Sequence, residues 1–129
     1  MVLTTKIGKK GFTLIELLIV ITIIGILLTI AQPTYKTSVK RAKETVLKEN
    51  LFAMRSAIDQ YYADNGTYPG SLDDLVQKGY LRSIPKDPIT NSNTTWIIVP
   101  PPNPEESGVY DVKSGSNEIS LAGTPYSDW

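Results

Sequence analysis

Cysteine and histidine are both missing from the 129-residue chain. Without cysteine there is no disulfide framework, no zinc ribbon, no iron–sulfur ligation and no thiol nucleophile. Without histidine the chain also lacks the usual general base at neutral pH and the commonest metal ligand. Net charge is the third absence. Thirteen basic side chains balance thirteen acidic ones, which argues against a nucleic-acid binder held by a basic face. Glycine and proline, nine of each, are too few for a low-complexity chain. The length supports one domain.

The charges that are present are unevenly placed. Lys6, Lys9 and Lys10 stand in residues 1–11 with no acid among them. A basic stub ahead of an apolar run has the form of a targeting segment. The run follows at once: from Phe12 to Ala31 the only charged residue is Glu16. Twenty helical residues rise about 30 Å, the thickness of a bilayer's hydrocarbon core. A buried helix in a soluble protein is the plain alternative, but a stretch apolar on all sides exceeds what a small core encloses. A cleaved secretory signal is the other alternative. The run is too long for one, and Thr29-Ile30-Ala31 matches a small-x-small cleavage site poorly. The segment reads as a membrane span.

Glu16 then needs an explanation. An acid at the middle of a membrane helix costs roughly 2.5–3.5 kcal/mol on insertion scales, and less near the interface, where Glu16 stands. The next cation along the helix is Lys36, beyond the run. A partner must therefore come from another chain or from a new amino terminus.

Lys10-Gly11-Phe12-Thr13-Leu14-Ile15-Glu16-Leu17 resembles the prepilin cleavage and methylation signal of type IV pilins and pseudopilins. Basic residues before Gly11, Phe12 after it, Glu16 four positions later and Pro33 beyond the run all agree. The resemblance implies cleavage between Gly11 and Phe12 by a membrane-embedded prepilin peptidase, which also methylates the Phe12 amine. It implies that Glu16 pairs with the Phe12 amine of a neighbouring subunit in a homo-oligomeric helical filament. Such a carboxylate, meeting a cation only on assembly, would act as a register pin. Lys36, Lys40, Arg41 and Lys43 follow the run, so counting positive charge alone does not favour a cytoplasmic leader. The resemblance does, because the implied peptidase works at the cytoplasmic face.

Beyond Pro33 the pattern stays helical. Tyr35, Val39, Ala42 and Val46 recur at 4-3-4 spacing, and Leu47, Leu51, Met54, Ile58 and Tyr61 at 4-3-4-3. Together they predict one apolar stripe, ended by Asp64-Asn65-Gly66. Gly25 and Pro33 are candidate points for a kink or local melting. The expected organisation is a leader over 1–11, a membrane and assembly helix over 12–34, an amphipathic helix over 35–64 and a head over 65–129. In the head, Thr95–Val99, Val109–Lys113 and Glu118–Leu121 predict three short antiparallel strands. Ser71 predicts the cap of a short helix that Gly79 ends. Pro100-Pro101-Pro102-Asn103-Pro104-Glu105-Glu106 predicts an extended, exposed polyproline stretch. Tyr61, Tyr62 and Tyr68 predict helix-to-head packing. The fold class is α+β: one long helix whose outer half packs on a small antiparallel sheet.

Asn65-Gly66-Thr67-Tyr68-Pro69, Gly79-Tyr80-Leu81 and Ile84-Pro85-Lys86-Asp87-Pro88 resemble the head of major pseudopilins from type II secretion systems. That resemblance implies a structural subunit, not an enzyme. It would wait in the bacterial inner membrane as a single-pass protein, with its head periplasmic, and polymerise into a periplasmic pseudopilus. The implied partners are the peptidase and methyltransferase, an inner-membrane assembly platform, a cytoplasmic ATPase and minor pseudopilins. The chain itself has no phosphate-binding loop. A surface type IV pilin, serving adhesion, motility or DNA uptake, shares the amino-terminal signal and is the alternative. A membrane-tethered enzyme lacks a recognisable nucleophile elbow. Major pseudopilins bind calcium in a carboxy-terminal loop, for which Asp111, Asn117, Glu118 and Asp128 are the candidate oxygen donors here. The loop is short and thin in acids, so an ordinary solvated loop is the other reading.

Gly11→Ala is expected to block processing, so that mass spectrometry finds the leader still attached. A mature amino terminus at Phe12 in that variant would refute the need for glycine.

Overall fold

The computed structural model describes Gly11 and residues 13–129. The leader lysines and Phe12 therefore lie outside the described residues. The first element, α1, is a single 52-residue helix, Leu14–Asn65. It begins two residues after the expected start because Thr13 caps it. The Thr13 hydroxyl accepts the Glu16 backbone N–H at 3.1 Å, and the Thr13 carbonyl accepts that of Leu17. At the other end Gly66, with φ of 72°, leaves the helical conformation while its N–H still reaches the Tyr62 carbonyl.

The chain divides between Val39 and Lys40 into two compact units. In the first, the helix runs unbroken through Gly25 and Pro33, so neither melts it. Every residue from Leu14 to Ser38 is exposed. Thr22 and Thr29 turn their hydroxyls back onto the carbonyls of Leu18 and Ile26, which leaves no free donor on an apolar surface.

The second unit is built on the outer part of α1. Leu47, Leu51, Met54, Ile58 and Tyr61 are buried as one row, with Ala57 beside them. The other expected row is not part of this core. Tyr35, Ala42 and Val46 are exposed and Val39 is half-buried, because the head covers a single face. Continuing the buried row backwards at the same spacing reaches Glu44 and then Lys40, and Glu44 is indeed buried.

Opposite the helix row stand Leu72, Leu75, Trp96, Val109, Val112 and Tyr126. Leu72 and Leu75 come from α2, Leu72–Gln77. Ser71 precedes it as expected but makes no side-chain cap. Asp74 instead accepts the N–H of Gly70. Gly79, with φ of 83°, closes the helix, and the N–H groups of Gly79 and Tyr80 reach the carbonyls of Val76 and Leu75.

The sheet has two strands, β1 Ile97–Val99 and β2 Asp111–Lys113, paired antiparallel with Ile98 opposite Val112. The expected third strand is absent from it. Ile119 forms only an isolated bridge to Pro125, because the chain turns back on itself through Ser120–Thr124 hydrogen bonds. The proline stretch also differs from expectation. Pro101 is buried, and Asn103 folds a turn by accepting the N–H groups of Glu105 and Glu106. The tyrosines do pack as expected, Tyr61 against Tyr80 and Tyr62 stacked on Tyr68.

Leu51→Ala is expected to cost about 2–5 kcal/mol through the lost contacts and the cavity left behind. Its neighbour Phe52, 75% exposed, is expected to tolerate alanine to within about 0.5 kcal/mol. Urea unfolding of the two variants checks the row assignment, and equal losses would contradict it.

Candidate assembly segment and carboxy-terminal loop

The amino-terminal site is a helix start laid out by sequence. Thr13, Leu14, Ile15 and Glu16 have the Thr-x-x-Glu spacing of a capping box, and the Thr13 half of that box is formed. Glu16 stands in the first turn, where the positive end of the helix favours a carboxylate. That position offsets part of the cost of placing an acid beside an apolar run. Thr13 is itself 8% exposed, and its spacing to Glu16 marks the helix start in the sequence. Gly11 is exposed at a bend, and Pro33 is exposed within α1.

The surface of this segment is apolar on all sides. Leu14 is 82% exposed, Ile30 is 65% exposed, and the large side chains between them are 45% to 63% exposed. By length and composition α1 qualifies to cross a membrane, and no residue of its most apolar window is buried. Among the described residues nothing covers this face, and its size and length suit a bilayer or other copies of the chain.

The carboxy-terminal loop is held differently from expectation. Glu44 lies on the buried row of α1, and one of its carboxylate oxygens accepts two hydrogen bonds. They come from the Leu121 N–H at 2.7 Å and the Tyr126 hydroxyl at 2.9 Å. One turn earlier, the Lys40 ammonium donates to the Ile119 carbonyl at 2.7 Å. One turn later, Lys48 sits over the Trp129 ring. Three turns beyond Glu44, Arg55 donates to Asp111 at 2.7 Å and to the main-chain oxygens of Val112 and Trp129 at 3.0 and 2.8 Å. Tyr126 is fully buried. Desolvation, followed by its bond to Glu44, pushes its phenol well above the usual 10.0.

The residues named for calcium are not assembled for it. Asp111 is taken up by Arg55. Asn117, Glu118 and Asp128 are exposed. Among the described residues no three acidic side chains come together as a metal site. As arranged, this donor set does not fit a calcium ion. Asp87, from the Ile84–Pro88 motif, is the other buried carboxylate, and it is structural. It accepts the Ser114 hydroxyl and the N–H groups of Ile89 and Thr90, tying the turn after Pro85 to the end of β2.

The raised Tyr126 phenol fixes the sign of an alkaline effect. The unfolded chain ionises near pH 10 while the folded one keeps its proton. Stability is therefore fully present below pH 10 and falls as pH rises beyond it. Tyr80, whose phenol is raised by donating to Asp64, adds to the fall. Tyr126→Phe is expected to be less stable at neutral pH by about 1.5–3 kcal/mol, the worth of a hydrogen bond to a charged group. It should also lose less above pH 10, as read by urea unfolding across pH. An unchanged alkaline slope would contradict the assignment.

A family model described as the prokaryotic N-terminal methylation motif matches residues 7–32. The Escherichia coli K12 protein named type II secretion system core protein G is 31% identical over 122 residues. The match covers 82% of this chain and 80% of that one. The protein of the same name from Pseudomonas aeruginosa is 36% identical over 99 residues, covering 64% of this chain and 70% of its own. A fimbrial protein, EcpC of Eikenella corrodens, is 46% identical over 61 residues, covering 47% of this chain and 40% of its own. No solved structure matches.

Proposed function

The chain belongs to the family of type II secretion system core protein G, the major pseudopilins, and we propose that it is the structural subunit of a periplasmic pseudopilus. The subunit waits in the inner membrane on the apolar part of α1, with its leader cytoplasmic and its head periplasmic. A prepilin peptidase cuts between Gly11 and Phe12 and methylates the new Phe12 amine. An inner-membrane assembly platform, driven by a cytoplasmic ATPase and joined by minor pseudopilins, then adds subunits to a helical homopolymer. Its growth drives folded proteins through the outer membrane.

One observation carries this reading above the others. The match to the Escherichia coli protein spans four-fifths of both chains, so it takes in the head as well as the amino-terminal signal. The fimbrial relative matches under half of each. The structure supports the same reading through what it leaves exposed: a continuous apolar helix surface that suits first a bilayer and then the interior of a filament. Glu16 becomes the register pin, its carboxylate held beside the apolar run until a neighbour's Phe12 amine meets it.

The test is the extracellular proteome of a strain lacking this gene, complemented with the wild-type chain or with Glu16→Leu. Particular exoproteins are expected to fall outside and accumulate in the periplasm, with the wild type restoring export. Glu16→Leu should insert normally yet restore no export and yield no filament. Unchanged secretion with loss of surface filaments would make the chain a type IV pilin, and full export by Glu16→Leu would remove the register pin.

A further inference from the structure

The Arg55 guanidinium is surrounded by three oxygens contributed from two separate stretches of the head. Its Nε donates to the Asp111 carboxylate at 2.7 Å. One terminal nitrogen donates to the carbonyl of Val112 at 3.0 Å and to the Trp129 oxygen at 2.8 Å. A carboxylate and two main-chain oxygens converging on one point form the sort of hard-oxygen set that takes a cation. Here the cation is a side chain of the protein itself. The Asp111 and Arg55 side chains are 29% and 34% exposed, so the pair is partly shielded from water.

We infer that Arg55 stands where a divalent cation would otherwise tie down the carboxy-terminal segment, so the head of this chain is closed by a guanidinium and folds without metal. The inference goes beyond the secretion reading and does not depend on it.

Three observations make the substitution chemically complete. First, the fork of a guanidinium reaches several oxygens at once with fixed geometry, which an ammonium does not. Second, a divalent ion brought to Asp111 would meet the permanent positive charge of Arg55 within the same shell, and like charges at that separation repel. Third, the rest of the segment is already fastened by the same helix face. Glu44 takes the Leu121 N–H and the Tyr126 hydroxyl, Lys40 takes the Ile119 carbonyl, and Lys48 covers Trp129. Lys40, Glu44, Lys48 and Arg55 are spaced 4, 4 and 7 apart, which keeps all four on one side of α1. The loop from Ile119 to Trp129 is laced along that side, and Arg55 closes the far end by joining it to β2.

The test uses the full chain in detergent micelles, followed by tryptophan fluorescence during thermal unfolding, in excess EDTA and in millimolar calcium chloride. The wild-type melting curves are expected to coincide. Arg55→Gln should lower Tm by about 5 °C or more because it leaves the Asp111 carboxylate without its counter-charge. Arg55→Lys should fall between the two, since a point charge replaces a fork. A wild-type Tm lowered by EDTA or raised by calcium overturns the inference. So does an Arg55→Gln chain that melts with the wild type. Should Arg55→Gln fail to accumulate, the wild-type comparison alone decides between guanidinium and metal. Secretion does not enter the readout, so a failure here is distinct from a failure of the pseudopilus reading.

Discussion

The head contains a sheet of two three-residue strands, and a sheet that small buries too little to stand alone. Its core is therefore completed by one row of side chains on α1, from Leu47 to Tyr61. That single contact sets the other arrangements. It decides which face of the helix turns inward and puts Glu44 beneath the carboxy-terminal loop. It also leaves Tyr35, Val46 and Phe52 on the outside. Leu72 and Tyr126 enter the same core from opposite ends of the head sequence, so the turns between them must close around the helix.

Buried charge does the specifying that a larger sheet would otherwise do. Glu44 and Asp87 are 8% and 0% exposed, and no buried side-chain nitrogen or oxygen among the described residues lacks a partner. An unpaired carboxylate at either place would be costly. Each therefore accepts only the loop conformation that brings its donors: Leu121 and Tyr126 for Glu44, Ser114 and the Ile89–Thr90 turn for Asp87. Arg55 adds the same kind of constraint between β2 and Trp129. A loop poor in regular structure is thus fixed by charged groups on a rigid helix. At Gly115 the chain leaving β2 passes so close to the Thr95 carbonyl that any side-chain carbon would collide with it, so only glycine fits there.

The amino-terminal unit follows the opposite principle. It makes the hydrogen bonds a helix needs within itself, caps its own start with Thr13 and presents apolar side chains outward. Among the described residues nothing covers that surface. A major pseudopilin needs both kinds of segment: a head complete in one chain, and an anchor completed only by lipid or by its neighbours.

Much of this was decided locally and was legible in the sequence. The apolar run, the stop at Asn65-Gly66 and the Leu47–Tyr61 row depend on neighbours a few residues away. Helical periodicity and cap chemistry act over that range. The family resemblance rested on the same short motifs, and the long match to core protein G agrees with it. The residues misplaced were those whose partners lie far along the chain. Nothing near Glu44 in sequence marks it as buried, because its donors Leu121 and Tyr126 lie more than seventy residues on. Asp111 looked like a metal ligand until Arg55 was seen beside it. Glu118–Leu121 has strand-like composition, yet its place opposite Glu44 and Lys40 leaves it only the Ile119–Pro125 bridge. Composition shows that a charge exists. Only the tertiary structure decides which opposite charge or carbonyl it meets, because that depends on the path of the whole chain.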